Sequence, residues 1–588
     1  MKLFNAVATV VAVVVSGCEA APTYSSVSPA SVSGSAPSAL PTVDLGYALH
    51  KATVNATGSY YNFSNIAFAE PPLGNLRFKE PIPPQTRNRT VNDGQQTRIC
   101  PQSNPAWELI EAQLLTGTNV SVLAAEEAAS SSSLNLSSVP TPGPTENEDC
   151  LLLDVIVPEA IYSSAYGKAS RLNSACVDCA GAPVLVWIYG GGYTSGSKGA
   201  NNPAGLIATS QTRGSNGIVF VAINYRLGMF GWLGGPIFQE GGTANVGLYD
   251  QRLALRWVQS NIHLFGGDPK RVTVMGESAG GGSIEHQITA YGGSRGKAPF
   301  QQAILQSAAF QPHPYPSQLD MIFNSTLSYA SLVANTSITT LSQLRALPSY
   351  ALQIINKVVV GVSDYGVFTY GPCVDGVIVP ALPGQLFLSG QYDKTLNLMV
   401  GHNSDEPTFF TSPFINNVTT FDEFISASIP GAPAAAVAYI ENDLYPPIFD
   451  GSQPYTSEYG RAKRVIDDSS FSCNSRYLAS AFSNRTWDYY FAIPPGYHGE
   501  DVSYTFFNGD TTTLDDGLAV QAPVAKRLQS YITMFTKYGD PNGNGTPFFP
   551  VYGANSSSLV LDITNAGTVQ KDTVATAYCD WWQKGLYI

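Results

Sequence analysis

Gly-x-Ser-x-Gly lets a chain turn sharply from strand into helix with a serine hydroxyl at the apex, because the glycines leave room for a strained backbone. The sequence holds the pattern twice, as Gly276-Glu-Ser278-Ala-Gly280 and Gly292-Gly-Ser294-Arg-Gly296. Context separates them. Ser278 follows the apolar run Val272-Thr-Val-Met275 and precedes a helix-compatible segment, whereas Ser294 leads into Lys297-Ala-Pro299 as a surface loop does. A serine at such an elbow attacks a carbonyl carbon, and negative charge then builds on the carbonyl oxygen. Backbone N–H groups must already be aimed at that charge. Gly190-Gly-Gly192-Tyr193, just past the apolar run Val184–Tyr189, can turn its amides that way, and the amide of Ala279 lies next to the serine. By itself such a glycine run also fits a plain tight turn.

The serine needs a general base, most often histidine. The chain has 6 histidines. In the α/β-hydrolase layout the order is serine, acid, histidine, which removes His50 and His263. His286 shares the serine's helix and leads away from it, and His313 sits between Pro312 and Pro314. His402 and His498 remain. His498 lies in Pro494-Pro-Gly-Tyr-His-Gly499, a glycine-flanked loop beyond the apolar run ending at Phe491. Past His402 stands Glu406, within Gly401-His-Asn-Ser-Asp-Glu-Pro407. With Glu406 as the acid, His498 is the one histidine downstream. Asp405 is its local rival, and spacing barely separates the two. Glu500 and Asp501 are too close to His498 in sequence to orient it easily.

These residues need a scaffold that holds them on rigid ends. Apolar runs at 184–189, 218–223, 272–275, 396–400 and 487–491 read as buried strands, and 248–264 reads as a helix between two of them. Strands alternating with helices predict an α/β fold: a central, mostly parallel sheet with helices on both faces. The segment 106–115 also has helical spacing, inside an otherwise loop-like stretch from Cys100 to Cys150. A hydrophobic fraction of 44% in 588 residues supplies a large core.

The formal net charge of −13 argues against a nucleic-acid partner. Lys2, the apolar run 6–15 and small residues at 17, 20 and 21 read as an export signal over 1–20, the run being too short to span a bilayer. Residues 21–44, rich in Ser, Pro and Ala, are expected to form a disordered lead-in, and 45–588 a single catalytic domain. No later run reads as a membrane anchor, and asparagines such as Asn55, Asn119 and Asn135 begin Asn-x-Ser/Thr sequons. Of 8 cysteines, Cys18 leaves with the signal, so an odd number remains and one thiol is left over. The expected location is extracellular. Oligomeric state is not legible.

At this point the chain resembles the type-B carboxylesterase and lipase family, which includes cholinesterases and fungal lipases. The likeness is carried by Asn245-Val-Gly-Leu-Tyr-Asp-Gln-Arg-Leu-Ala-Leu-Arg-Trp-Val-Gln-Ser-Asn-Ile-His-Leu-Phe-Gly-Gly-Asp-Pro269, by Gly276–Gly280, and by Glu148-Asp-Cys-Leu-Leu-Leu-Asp-Val155. It implies an α/β-hydrolase fold, a triad of Ser278, Glu406 and His498, and oxyanion donors at Gly191, Gly192 and Ala279. It implies no metal and no organic cofactor, and a small-molecule or lipid ester as substrate. It also suggests disulfides Cys100–Cys150 and Cys473–Cys579, the first closing a loop worth about 4 kcal/mol in the chain-entropy model. Cys176 and Cys179 pair across an insertion on this reading, leaving Cys373 free. Pro407 stands where the family usually has glycine, which puts the backbone at Glu406 in question. The loop 100–150 gates substrate in lipases of the family, so its helical stretch is either a lid or a glycosylated flap. Lipase, sterol-ester and feruloyl-type specialisations remain open, as does a catalytically silent binding protein.

Overall fold

The computed structural model describes residues 40–124, 136–166, 181–509, 514–515, 518–543, 545–563 and 567–588. The expected export signal, most of the lead-in, and Cys176 and Cys179 lie outside these residues.

An eleven-stranded sheet runs through the molecule. In chain order its strands are β1 (Thr53–Asn55), β2 (Tyr60–Ala67), β3 (Leu152–Pro158), β4 (Ala182–Ile188), β5 (Val219–Ile223), β6 (Gly267–Glu277), β7 (Gln302–Gln306), β8 (Asn397–Asn403), β9 (Thr486–Phe491), β10 (Ser557–Leu561) and β11 (Thr568–Lys571). Across the sheet the order is β11-β10-β9-β8-β7-β6-β4-β5-β3-β2-β1. From β5 to β10 all neighbours are parallel, while both margins are antiparallel. The middle of the sheet is buried, with Val184 to Ile188 and Val272 to Glu277 inside it, as the apolar stretches of a doubly covered sheet must be.

Helix α2 (Ala279–Thr289) packs on β6 and β7 and touches α1 (Val246–Asn261), α3 (Ser472–Phe482) packs on β8 and β9, and α4 (Ala522–Tyr538) packs on β4 and β6 and joins 204–210 and 500–505. The expected α/β-hydrolase architecture is the one found. The expected strands sit where the apolar runs are, with β6 extended at both ends.

The lead-in boundary needs correction. Thr42–Asp44 is a strand paired with Leu49–Lys51, and Val43 is buried. A Ser/Pro/Ala-rich composition is a poor guide over its last few residues, because one β-branched side chain with a core to enter orders them.

Disulfides join Cys100 to Cys150 and Cys473 to Cys579. Cys373 is a buried free thiol. The first disulfide closes the base of a loop whose early part is the helix Trp107–Leu115.

Candidate active site

Four strand ends converge. β4 runs into Gly190–Gly192, β6 into Ser278, β8 into Glu406 and β9 into His498, all at the carboxyl edge of the parallel strands, where α/β sheets place their ligands.

Ser278 caps α2 with φ 55° and ψ −126°, a left-handed strain that persists only because its surroundings demand it. The flanking glycines are obligatory. A Cβ at Gly280 would stand 2.1 Å from the carbonyl oxygen of Ile188, and one at Gly276 would stand 2.7 Å from the carbonyl carbon of Gly280. The second serine of this pattern, Ser294, lies in an exposed turn where its hydroxyl donates to the Tyr291 carbonyl. It takes no part in this cluster.

The glycine run after β4 carries three successive positive φ angles: 93° at Gly191, 58° at Gly192 and 63° at Tyr193. A Cβ at Gly192 would collide with the Phe368 ring at 2.3 Å, so the residue is set by space as well as by angle. No acceptor within the described residues takes the amides of Gly191, Gly192 or Ala279. Gly192, Ser278 and Ala279 line one hollow together.

His498 points its Nδ1 at Glu406 Oε2, 2.5 Å away. The other carboxylate oxygen of Glu406 accepts from the amide of Asn403 at 2.5 Å and from the Ser307 hydroxyl at 2.7 Å. Burial alone would raise this carboxyl. The positive charge of His498 and these three hydrogen bonds outweigh burial and hold Glu406 below its ordinary value. Pro407 therefore does not prevent Glu406 from reaching the histidine. Asp405 turns away into an ion pair with Lys463 at 2.7 Å. Asp501 accepts from Tyr489 and Gln306, and Glu500 from the Gly496 amide, so neither orients His498. Of the remaining histidines, His286 is sealed in α2 with Nδ1 on the Gly282 carbonyl, and His402 is buried against Tyr490.

Sequence reasoning missed several neighbours. Ser307 and Asn403 are one residue past β7 and the last residue of β8, and polar residues at strand ends carry no signal of their partner. Phe471 and Phe410 pack their rings against the imidazole, with centroids 4.7 Å and 5.2 Å away. Glu277 is the fifth. Its Oε1 has no hydrogen-bond partner and lies 3.4 Å from His498 Nε2, itself without a partner. Burial pushes Glu277 up to about 8, against the pull of the His498 charge. Burial would lower His498, but Glu277 and Glu406 overcome it and raise the ring to about 9.

Ser278, His498 and Glu277 line a second hollow with Gly191, Gly192 and, from the Trp107–Leu115 helix, Trp107, Glu108 and Glu111. Trp107 is buried, and its indole N–H donates to the Val367 carbonyl at 2.9 Å. Among the described residues the one clustering of metal-ligand types is Asp468 with Cys473 and Cys579. Those two cysteines are bonded to each other, so they offer no thiolate.

Residues 49–582 match the carboxylesterase family. Carboxylesterase patB of Penicillium expansum is 40% identical over 93% of this chain and 96% of its own length. Secreted lipase 1 of Botryotinia fuckeliana is 29% identical over 92% of each chain. Among solved structures, EstA of Aspergillus niger superposes with a TM-score of 0.73 at 24% identity, covering 93% of this chain and 98% of that one.

Proposed function

We propose, from the premise that this chain belongs to the carboxylesterase family and is a carboxylic ester hydrolase, that it works through an acyl-enzyme on Ser278 with His498 as base and Glu406 as acid. The observation that carries this reading is the His498–Glu406 hydrogen bond in a hollow that Ser278 shares, beside amides with no acceptor.

His498 Nε2 takes the Ser278 proton as the hydroxyl oxygen attacks the ester carbon. The carbonyl oxygen gains the charge, and the amides of Gly191, Gly192 and Ala279 receive it. Glu406 holds Nδ1–H and stabilises the imidazolium. The same proton then passes from Nε2 to the leaving alkoxide as the tetrahedral centre collapses, freeing the alcohol and leaving an acyl ester on Ser278. Water repeats the sequence in reverse, with His498 again as base, and releases the acid.

The domain on this reading is 45–588, preceded by an export signal over 1–20. Several relatives are named secreted lipases, and no helix of the described residues is long and apolar enough to cross a membrane. Export would be seen as recovery of the glycosylated chain, cut near Ala20 or Ala21, from the medium of expressing cells.

The test is hydrolysis of p-nitrophenyl esters from C2 to C16 by the purified protein beside Ser278→Ala. Loss of activity with the fold intact supports the assignment. Undiminished turnover in Ser278→Ala refutes it. The Trp107–Leu115 helix is read as a fixed wall, since Trp107 is pinned to Val367. Rates on a long-chain ester then rise smoothly through its solubility limit, and a jump at the emulsion would instead identify a lid.

A further inference from the structure

Ser278, Glu406 and His498 stand on three separate segments of chain, and a set of buried hydrogen bonds behind them ties the segments together. Gln306 and Ser307 lie at the end of β7, between β6, which carries the serine, and β8, which leads to the acid. In register Gln306 stands opposite Glu277 on one side and Gly401 on the other. Its carbonyl accepts the amide of Ser278 at 3.0 Å, so the elbow hangs on this residue. Ser307 donates its amide to the Gly401 carbonyl at 2.8 Å and its hydroxyl to Glu406 at 2.7 Å, which ties the acid to the same place.

The side chain of Gln306 reaches the third segment. It is fully buried and lines neither hollow. Its amide nitrogen stands 2.9 Å from Asp501 Oδ2, 3.0 Å from Thr505 Oγ1 and 3.0 Å from the Tyr489 hydroxyl. An ionised carboxyl only accepts, so the nitrogen and not the oxygen of the amide belongs on that side. Tyr489 donates to the same Asp501 oxygen at 2.6 Å, and its ring covers Gly401, where a Cβ would stand 2.1 Å from it. Asp501 and Thr505 belong to the helix Glu500–Thr505, which starts two residues after His498, past Gly499 at φ 84°. The other side of the histidine loop is tied to the acid loop, by Asn403 Nδ2 on the Tyr497 carbonyl and the Asp405 amide on the Gly496 carbonyl, both at 2.7 Å. The far end of the helix is held by Gln529, which donates to the Thr505 and Phe507 carbonyls at 3.1 Å and 2.6 Å. Neither of these anchors refers the histidine to the serine. Gln306 does, with its carbonyl on the elbow and its amide on the helix.

We propose that Gln306 is a positioning residue, which sets His498 Nε2 against the Ser278 hydroxyl through the helix Glu500–Thr505 while touching neither the reacting atoms nor the substrate. This rests on the proposed roles of Ser278, Glu406 and His498. A misplacement of about 1 Å between reacting groups costs about a hundredfold in rate. Acylation and deacylation both pass their proton through His498, so a displaced ring slows the two steps alike. KM, which carries the ratio of those steps, then stays where it was.

The test is Gln306→Met, which keeps the length of the side chain and removes its donor, assayed on p-nitrophenyl butyrate. Steady-state turnover is measured beside single turnovers with the protein in saturating excess, whose rate constant an inactive fraction does not change. Both kcat and the single-turnover constant are expected to fall roughly 50-fold, with KM within about twofold of the wild-type value. Asp501→Asn, which still offers an oxygen to the amide, is expected to keep kcat within about fivefold. Four results overturn the proposal: an unchanged kcat in Gln306→Met, a loss carried by KM, a lowered kcat with the single-turnover constant intact, or a loss in Asp501→Asn as large as that in Gln306→Met, which would assign the effect to charge. If Gln306→Met does not fold, Gln306→Asn, whose amide stops one carbon short of the helix, is judged by the same comparison. Ser278→Ala separates the two failures: activity surviving that change sinks the catalytic reading, whereas an inactive Ser278→Ala beside a fully active Gln306→Met sinks the Gln306 assignment alone.

Discussion

Glu406 and Glu285 are both buried, at 1% and 0% exposure, yet they end in opposite electrostatic states. Glu406 sits in a loop where an amide, a hydroxyl and an imidazole converge on its two oxygens, and it is held below its ordinary value. Glu285 points out of α2 into a packed interior where neither oxygen finds a partner, and burial pushes it far up. Burial does not decide whether a carboxyl is charged. The donors that meet it do. Glu277 stands between them, buried but at the wall of the hollow, with one oxygen unpartnered beside the ring of His498.

If that contrast is right, removing charge at Glu406 has the largest effect. Glu406→Gln keeps the shape but cannot stabilise an imidazolium, and kcat is expected to fall roughly 10⁴-fold with the circular dichroism spectrum unchanged. Glu285→Gln, the same change at the other glutamate, leaves kcat within about twofold. A similar loss in both would erase the distinction between a working carboxylate and a merely buried one.

Glu277 gives the intermediate case. An anion beside an imidazolium holds its proton on, so His498 becomes a free base only as the pH rises toward about 9 in the empty site. Glu277→Gln removes one such anion, and the rising limb of kcat/KM against pH should move to lower pH. A limb that stays in place would mean Glu277 remains neutral across the range and contributes nothing to the histidine.

The smallest effect is on stability. A carboxyl raised in the folded state binds more protons there than in the unfolded chain, so stability declines as pH climbs above the ordinary carboxylate range. Glu285, Asp468 at about 7 and Asp501 at about 6 all act in this direction. Glu406 acts oppositely, its contribution being present above the ordinary glutamate value and lost as pH falls through its depressed one. The melting temperature should therefore fall from pH 5.5 to pH 8, and Glu285→Gln should raise it at pH 8 by roughly 2 °C and flatten the slope. Melting curves that coincide for the two proteins at pH 8 would show Glu285 uncharged there at no cost to the fold.

Much of this was legible in the order of residues. The elbow at Ser278, the glycine run after β4 and the alternation of apolar runs with α1 are local patterns, and each appears where its spacing predicts. Histidine could be narrowed by chain order to His402 and His498. The acid could not: Asp405 and Glu406 are neighbours, and it was the family likeness, not spacing, that preferred the second. His313 was set aside as a base because it sits between Pro312 and Pro314, and nothing in that stretch says that its ring lines the hollow beside Ser278.

What the sequence alone determined, then, is the backbone's local path: where glycine permits a left-handed turn, where an apolar run becomes a buried strand, and which serine stands at an elbow. These follow from sterics and periodicity that act over a few residues. The tertiary structure, and no local pattern, brings Glu406 against a ring 92 residues further on while Asp405 turns to Lys463, sets Ser307 and Asn403 on its other oxygen, and leaves Glu285 without a donor. The reason is that hydrogen-bond geometry and desolvation depend on which atoms packing brings within about 3 Å, and sequence distance does not encode that.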